Sequence, residues 1–397
     1  MRRLEMKLKK VLILVENLSV PFDRRVWLEA KALKENGFTV SVICPRFKRE
    51  KSFEKLEGVN IYRYSLAPAT KGALSYMLEF SYCLIMTFLL SAHVLVRHDF
   101  DIIHACNPPD TFFIIGIFYK VFGKKFYYDQ HDLCPEVYLS KYKEKRKDFL
   151  YRTLLFLEYL TYKTADRVIV TNNSYRDNAI SRGRVRPDKI FVVRTGPDKK
   201  RFKNSSFTGD GLKAGRKFLV SYLGVMAPQD GVDFLLRAID VLINQYDRHD
   251  VTFRIIGSGD SLDDLKNLKE DLRLGAEVIF TGRVSDEELF NYLAASDVCV
   301  APDPKNPLND KSTMNKILEY MAMAKPIVSF DLKESRYSAG DAALYAAPND
   351  VKDFADKIAE LLKDPEQRCR MGKIGYERLK GELTWDYNKE RLANVYS

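Results

Sequence analysis

The chain has 397 residues, 46% hydrophobic and 12% aromatic, which excludes a disordered or repeat protein and leaves room for two domains with separate cores. Its net charge of +10 is uneven: residues 1–200 hold 36 Lys/Arg against 22 Asp/Glu, and residues 201–397 hold 28 against 32. A basic half suits an anionic membrane surface or nucleic acid, and no helix-turn-helix, zinc-finger or RNP-like signature favours nucleic acid. The six cysteines are scattered, with no CxxC pair and no Cys/His cluster at zinc spacing, so a reducing cytosol and no structural metal are expected.

MRRLEMKLKK is basic like the start of a signal peptide, but the apolar run Val11–Val15 is too short for its core and reads as a first strand. Short β-branched runs then alternate with helical patterns, the α/β signature. Strands are predicted at Val11–Val15, Thr39–Cys44, Val59–Tyr64, Ile102–Ala105, Lys125–Asp129, Arg167–Thr171 and Ile190–Arg194. Arg24–Asn36 is a helix with Asp23 as its cap and Gly37 as its stop. Phe80–Val96 is seventeen residues without Lys, Arg, Asp or Glu. It reads as a buried core helix or as one dipping into a membrane surface, because a span would put strands of one sheet on opposite sides of a bilayer. The basic loop Lys141–Lys147 could flank such a surface or simply be solvated. Lys199–Lys217, polar and without apolar periodicity, is the expected linker. A second series follows at Phe218–Leu223, Thr252–Gly257, Glu277–Thr281, Asp297–Ala301, Pro326–Phe330 and Ala343–Tyr345, giving two Rossmann-like domains, residues 1–200 and 201–380.

In such sheets ligands sit beyond the carboxyl ends of strands, so the loops there are the candidate sites. After the first strand, Asn17 and Arg24 or Arg25 are candidates to touch an acceptor, and no glycine-rich dinucleotide fingerprint is present. Cys106–Asp110 is a rigid turn presenting Asn107. Gln130–Glu136 places His131 and Asp132 at a strand end. Asp99-Phe100-Asp101 resembles a metal-binding DxD, but it precedes its strand and would lie at the wrong end of the sheet. In the second half, loops at Gly224, at Gly257 and at Arg283-Val284 follow successive strands, with Ser285 and Glu288 at capping-box spacing. Asn306–Phe330 combines a polar loop, a helix and a strand. Ser312 or Thr313 is the predicted cap, and Ser312, Asn315/Lys316 and Glu319 form a polar stripe beside Ile317, Leu318, Met321 and Ala322. A helix start with free N–H groups, a lysine and a glutamate suits a nucleoside diphosphate and its ribose.

The strings VENLSVPFDRRVW, HACNPPD, HDLCPE, YLGVMAPQDGVD, TGRVSDEEL and APDPKNPLNDKSTMNKILEYMA resemble the family-4 (group 1) retaining glycosyltransferases over nearly the whole chain. They resemble most a bacterial and archaeal subgroup implicated in exopolysaccharide, O-antigen and S-layer glycan assembly. The resemblance implies a GT-B fold: two Rossmann-like domains facing a cleft, with residues 381–397 forming a helix that returns to the first. It implies a nucleotide-sugar donor on the second domain, an acceptor on the first, and no cofactor or metal. Glu319 matches the second glutamate of the family's E-x7-E motif, which grips the ribose, and His131 matches the histidine near donor sugar and acceptor.

Two features depart from the pattern. The first glutamate falls at Lys311, and the usual phosphate-binding Arg and Lys fall at Val225 and Asp230. Charge on the leaving diphosphate must be met otherwise, and Lys316, Arg194 and Lys311 are the candidates, with N–H groups around Thr313, Met314 and Asn315. Arg194 is placed at the end of the last first-domain strand, from which domain closure could carry it to the donor. The base would be read by backbone near Val284 and the sugar by the loop around Lys311. A glycan or polyprenyl-linked acceptor, a cytoplasmic location and peripheral contact with an anionic membrane complete the expectation. The alternatives are a GT-B epimerase or hydrolase and an inactive scaffold.

Overall fold

The computed structural model describes residues 9–66, 73–142, 148–198 and 211–397. Residues 1–8, Lys143–Lys147 of the basic loop and Lys199–Asp210 of the expected linker lie outside the described residues. The chain divides into two compact units, Met1–Leu139, Glu144–Val193 and Lys389–Ser397 forming one, Ser140–Lys143 and Arg194–Asn388 the other.

The first unit carries strands β1 (Lys10–Leu14), β2 (Thr39–Arg46), β3 (Phe53–Leu56), β4 (Val59–Ser65), β5 (Ile102–Cys106), β6 (Lys125–Gln130), β7 (Arg167–Val170) and β8 (Ile190–Val192). Its helices are α1 (Arg24–Glu35), α2 (Ala73–His98), α3 (Phe113–Lys120), α4 (Cys134–Tyr142), α5 (Phe149–Thr164) and α6 (Asn173–Ser181). The sheet order is β3-β4-β2-β1-β5-β6-β7-β8, parallel except for the β3–β4 pair. Strands covered on both faces read as continuous apolar runs, which is why Val11–Leu14 and Ile102–Cys106 are wholly buried. β2 and β4 precede α2 and β5 follows it, all in one sheet, so α2 alone cannot cross a bilayer without splitting that sheet.

The second unit holds β9 (Phe218–Leu223), α7 (Val232–Asp240), β10 (Val251–Ile256), α8 (Leu262–Asp271), β11 (Val278–Gly282), α9 (Asp286–Ala295) and β12 (Val298–Ala301). It continues with α10 (Asn315–Ala322), β13 (Ile327–Phe330), α11 (Lys333–Ala339), β14 (Ala343–Ala346), α12 (Val351–Lys363) and α13 (Pro365–Leu379). The last helix, α14 (Trp385–Tyr396), contributes Lys389–Tyr396 to the first unit. The second sheet is parallel, ordered β11-β10-β9-β12-β13-β14, the doubly wound arrangement whose strand order reverses between β9 and β12. In the first sheet the reversal falls between β1 and β5. Loops after these four strands are where such folds hold ligands.

Local signals start the helices. Asp23 accepts from the Val26 N–H at 3.1 Å, and Ser285 and Glu288 form the capping box that opens α9. Asp364 caps α13, whose first residue is Pro365. Gly372 lets α13 lie against the turn that follows α10: a Cβ there would stand 2.0 Å from the Ala324 carbonyl oxygen. Gly372→Ala must therefore push two packed helices apart. It is expected to lower stability by ~1–3 kcal/mol in denaturant titration, with secondary structure unchanged.

Candidate functional sites of the two units

At the reversal point of the first sheet, charged side chains are buried together. Asp129, in β6 and without exposure, accepts from Arg25 Nη2 at 2.8 Å and Nε at 3.3 Å, from His131 Nε2 at 2.6 Å and from His104 Nε2 at 3.3 Å. Arg25 also meets Glu29 at 3.0 Å and donates to the Val193 carbonyl at 2.9 Å. Burial works against ionised Asp129, but Arg25 and the histidines hold its carboxyl well below the usual range. Burial, together with the Asp129 charge, pushes Glu29 well above it. One carboxylate is thus the anion and the other keeps its proton.

This fixes the histidines. With Asp129 ionised, both Nε2 atoms donate to it, so Nδ1 of neutral His131 is the acceptor nitrogen. His104 Nδ1 accepts in turn from the Tyr396 hydroxyl, supplied by the last turn of α14. Burial keeps that hydroxyl protonated. The His131 side chain is 14% exposed, while Asp129, His104 and Glu29 show no exposure. The network therefore meets the surface at one imidazole. Ligand atoms of Glu29, Cys106, Asp129 and His131 lie within 4.8 Å of one another, a grouping that could suit a cation. Arg25 already binds both of its carboxylates.

Around His131, one expectation changes. Asn107 is buried rather than presented outward: its Oδ1 accepts from the His131 N–H at 2.6 Å and the Asp132 N–H at 3.1 Å, and its Nδ2 donates to the Asp132 carbonyl at 2.7 Å. It shapes the His131 loop. Arg24 is exposed on the first turn of α1, and its neighbour Arg25 is the one that turns inward. Asn17 is exposed after β1, and Asp132 is half-buried, with burial raising its carboxyl. Asp101 accepts from the Lys10 N–H and Asp99 pairs with Lys124, structural roles before β5 as its position implied.

In the second unit the helix begins later than expected. α10 starts at Asn315 after Met314, and neither Ser312 nor Thr313 caps it. Ser312 Oγ donates instead to the Leu308 carbonyl at 2.9 Å. Ile317, Leu318 and Met321 are buried as predicted, but Lys316 joins them and leaves the polar stripe. Lys316 Nζ reaches Asp303 Oδ1 at 2.7 Å, Asp230 Oδ1 at 3.9 Å and the Tyr222 hydroxyl at 3.4 Å. Burial alone would lower its pKa, but the two aspartates together raise it. Its charge is therefore permanent and largely met from within. Asp230, half-buried and near Asp303, is pushed up to about 6 by loss of solvation despite Lys316.

Arg194 lies beyond the end of β8 and belongs to the second unit, so no closure is needed to bring it to α10. It is 3% exposed. Nη1 is 3.5 Å from Thr313 Oγ1 and 3.6 Å from Glu334, and the guanidinium lies 4.2 Å over the Tyr337 ring. Nη2 is buried without a hydrogen-bond partner among the described residues. An open donor on a buried cation beside an uncapped helix start is suited to an anion. Lys311 and Glu319 are half-buried, Asn315 and Arg283 exposed. Gly224 and Gly257 answer first to the protein itself: Gly257 has φ +130°, and a Cβ there would lie 1.9 Å from the Gly224 carbonyl oxygen.

The family model "Glycosyltransferase Family 4" matches residues 23–201 and "Glycosyl transferases group 1" matches residues 217–364. The chain belongs to the group 1, family 4 glycosyltransferases. It is 28% identical over 173 residues to a GDP-mannose-dependent monoacylated alpha-(1-6)-phosphatidylinositol monomannoside mannosyltransferase of Corynebacterium glutamicum, covering 43% of this chain and 44% of that protein. The chain thus spans less than half the length of that relative. It is 24% identical to an uncharacterized glycosyltransferase of Methanocaldococcus jannaschii, covering 92% and 91%. In fold it matches the sucrose-phosphate synthase of Thermosynechococcus elongatus (TM-score 0.76, 18% identity, 98% of each chain). It also matches Anabaena HepE in complex with UDP-glucose (TM-score 0.74, 16% identity, 98% and 99%). Two Rossmann-like units with C-terminal helices are the GT-B arrangement.

Two experiments test these clusters. Asp129→Asn strands buried Arg25 without its anion and is expected to cost ~3–5 kcal/mol in denaturant titration, whereas Tyr396→Phe removes one hydrogen bond and costs ~1–2 kcal/mol. Asp230 titrates at about 6 when folded against 3.8 for an ordinary aspartate. Its contribution is full below pH 3.8 and lost as pH rises through 6, so Asp230→Asn should gain ~2–3 kcal/mol over the native chain at pH 7 and nothing at pH 3.5.

Proposed function

We propose that the protein is a retaining glycosyltransferase that moves a sugar from a nucleoside-diphosphate sugar, bound by the second unit, to a glycan or polyprenyl-linked acceptor bound by the first, in cell-surface polysaccharide assembly. The observation that carries the reading is buried Arg194, whose unpaired Nη2 lies in the same unit as the uncapped start of α10 and Glu319. Arg194 and the α10 N–H groups take the diphosphate, and Glu319 accepts from the ribose hydroxyls. Lys316, held by Asp303, fixes the helix start and adds a screened charge.

Transfer proceeds at one face of the sugar. The bond from the anomeric carbon to the leaving phosphate oxygen breaks as the acceptor oxygen bonds to the same face. That phosphate oxygen takes the acceptor's proton, and no protein nucleophile is required. On the acceptor side, His131 offers Nδ1 to a sugar hydroxyl. The Corynebacterium relative is named for a lipid acceptor, which supports a lipid-linked one here. Six free thiols accord with a cytoplasmic location, at the inner face of the membrane.

The test is a thermal-shift panel of nucleotide sugars followed by transfer to extracted lipid. A ligand at a hundred times its Kd adds about 2.7 kcal/mol to the second unit. Glu319→Ala is expected to abolish that shift, and Arg194→Ala to cut turnover roughly a hundredfold. Undiminished turnover in Arg194→Ala would overturn its role. Donor consumption without acceptor would make the protein a hydrolase or epimerase, and donor binding without any turnover a scaffold.

A further inference from the structure

Three helices of the first unit reverse the usual arrangement, in which a surface helix shows water its polar face. α3 exposes Ile114, Ile117 and Phe118, and Val121 and Phe122 follow at the same helical spacing just past its end. The opposite side of α3 is also apolar and is fixed on the sheet, where a Cβ on Gly116 would stand 2.5 Å from the Phe126 ring. The exposed stripe therefore cannot turn inward. α2 shows Leu78, Ile85, Leu89 and Val96 at intervals of about one to two helical turns, and α5 shows Phe149 and Phe156. Only 22% of the most apolar window of α2 is buried.

These stripes lie on neighbouring helices. Phe88 of α2 lies edge-on to Phe118 at 5.0 Å, Phe118 meets Phe122 at 5.3 Å, and α3 packs against α5. Val121 and Phe149 are 80% and 85% exposed, too open to be the rim of a core. A patch of this extent marks something that covers it.

Charge identifies the cover. Among the described residues of the three helices, the exposed charged side chains are Arg97, Lys120, Arg152 and Lys163, all cations. Of the acids, Glu79 is half-buried and Glu158 is fully buried against Arg182. Lys120 pairs with Asp166, and the Lys163 ammonium lies over the Tyr159 ring, a geometry that lets the stem follow apolar surface. A second copy would set these cations against themselves. An anionic bilayer surface offers acyl chains to the stripe and phosphates to the cations.

We propose that α2, α3 and α5 form a monotopic docking face that seats the first unit on an anionic leaflet, with Val121, Phe122, Phe149 and Phe156 entering the boundary between headgroups and acyl chains. α2 then lies along the leaflet, as its place between strands of one sheet requires. The face deepens the lipid-linked reading of the acceptor and rests on that reading for its purpose. Its existence is tested separately.

The experiment is flotation of the full chain with vesicles of phosphatidylcholine alone or mixed with phosphatidylglycerol, beside the nucleotide-sugar thermal shift on the same preparation. The native chain should float with mixed vesicles, less so at high salt, and at least tenfold less with phosphatidylcholine alone. Val121→Glu/Phe149→Glu, at open positions, should keep the melting temperature and donor shift but bind mixed vesicles at least tenfold more weakly. Absent flotation, undiminished flotation of the double variant, or equal binding to both vesicles would overturn the proposal. So would a native dimer that the double variant converts to monomer. A donor shift without flotation removes the face and leaves the transferase; flotation without a donor shift does the reverse.

Discussion

A carboxylate with no exposure stays ionised only when its charge is met at close range, and Asp129 meets that condition through Arg25. The pair joins separate stretches of the first unit, because Arg25 lies in the first turn of α1, Asp129 is the penultimate residue of β6, and Arg25 also holds the carbonyl just past β8. Once Asp129 is the anion, Glu29 must be neutral, both histidines must donate to Asp129, and Tyr396 must donate to His104. The orientation of the partly exposed imidazole is thus set by the buried groups behind it. It also makes the end of α14 part of the chemistry of the first sheet, since the hydroxyl on His104 comes from the penultimate residue.

The second unit uses a buried cation differently. Lys316 is bound by Asp303 and lies near Asp230, so much of its field is cancelled where a diphosphate would need it. Arg194 has a weaker tie, Glu334 at 3.6 Å, and keeps one nitrogen unbonded while buried. An unmade hydrogen bond on a buried guanidinium costs free energy in the empty protein. Binding an anion returns it, so the position that is costly at rest is the one with most to gain from ligand.

Much of this was legible in the sequence because parallel strands write themselves as apolar runs, and the predicted strands fall within a residue or two of those observed. β3 was not, because FEKL is an antiparallel edge strand with alternating partial exposure and no apolar run. The start of α10 was misplaced because Ser312 and Thr313 are good caps by type, yet Ser312 spends its hydroxyl on Leu308. That shift matters: Lys316 sits one turn before buried Tyr320, on the core side rather than the polar one. Arg25 was readable in retrospect. It stands at i, i+4 from Glu29 among Val26, Ala30 and Leu33, so a charged pair lies on the apolar face of α1. His104 and Asp129 carried the same signal, a polar residue inside a strand otherwise buried on both faces. Tyr396 carried none, since its partner is 292 residues away.

The charge-free stretch in α2 shows why hydropathy needs the fold to be interpreted. A helix of that composition can be a core element, a span or a surface element, and length does not choose among them. Topology excludes the span, because the chain enters α2 from β4 and leaves into β5 within a single sheet. Burial argues against the core, because only 22% of its most apolar window is buried. What remains is a surface role, and α3 and α5 repeat the pattern at helical period with exposed charges of one sign. Three helices that agree in periodicity, exposure and charge are harder to explain by packing than any one of them. Part of the basic balance of residues 1–200 falls on these helices, as the exposed cations Arg97, Lys120, Arg152 and Lys163.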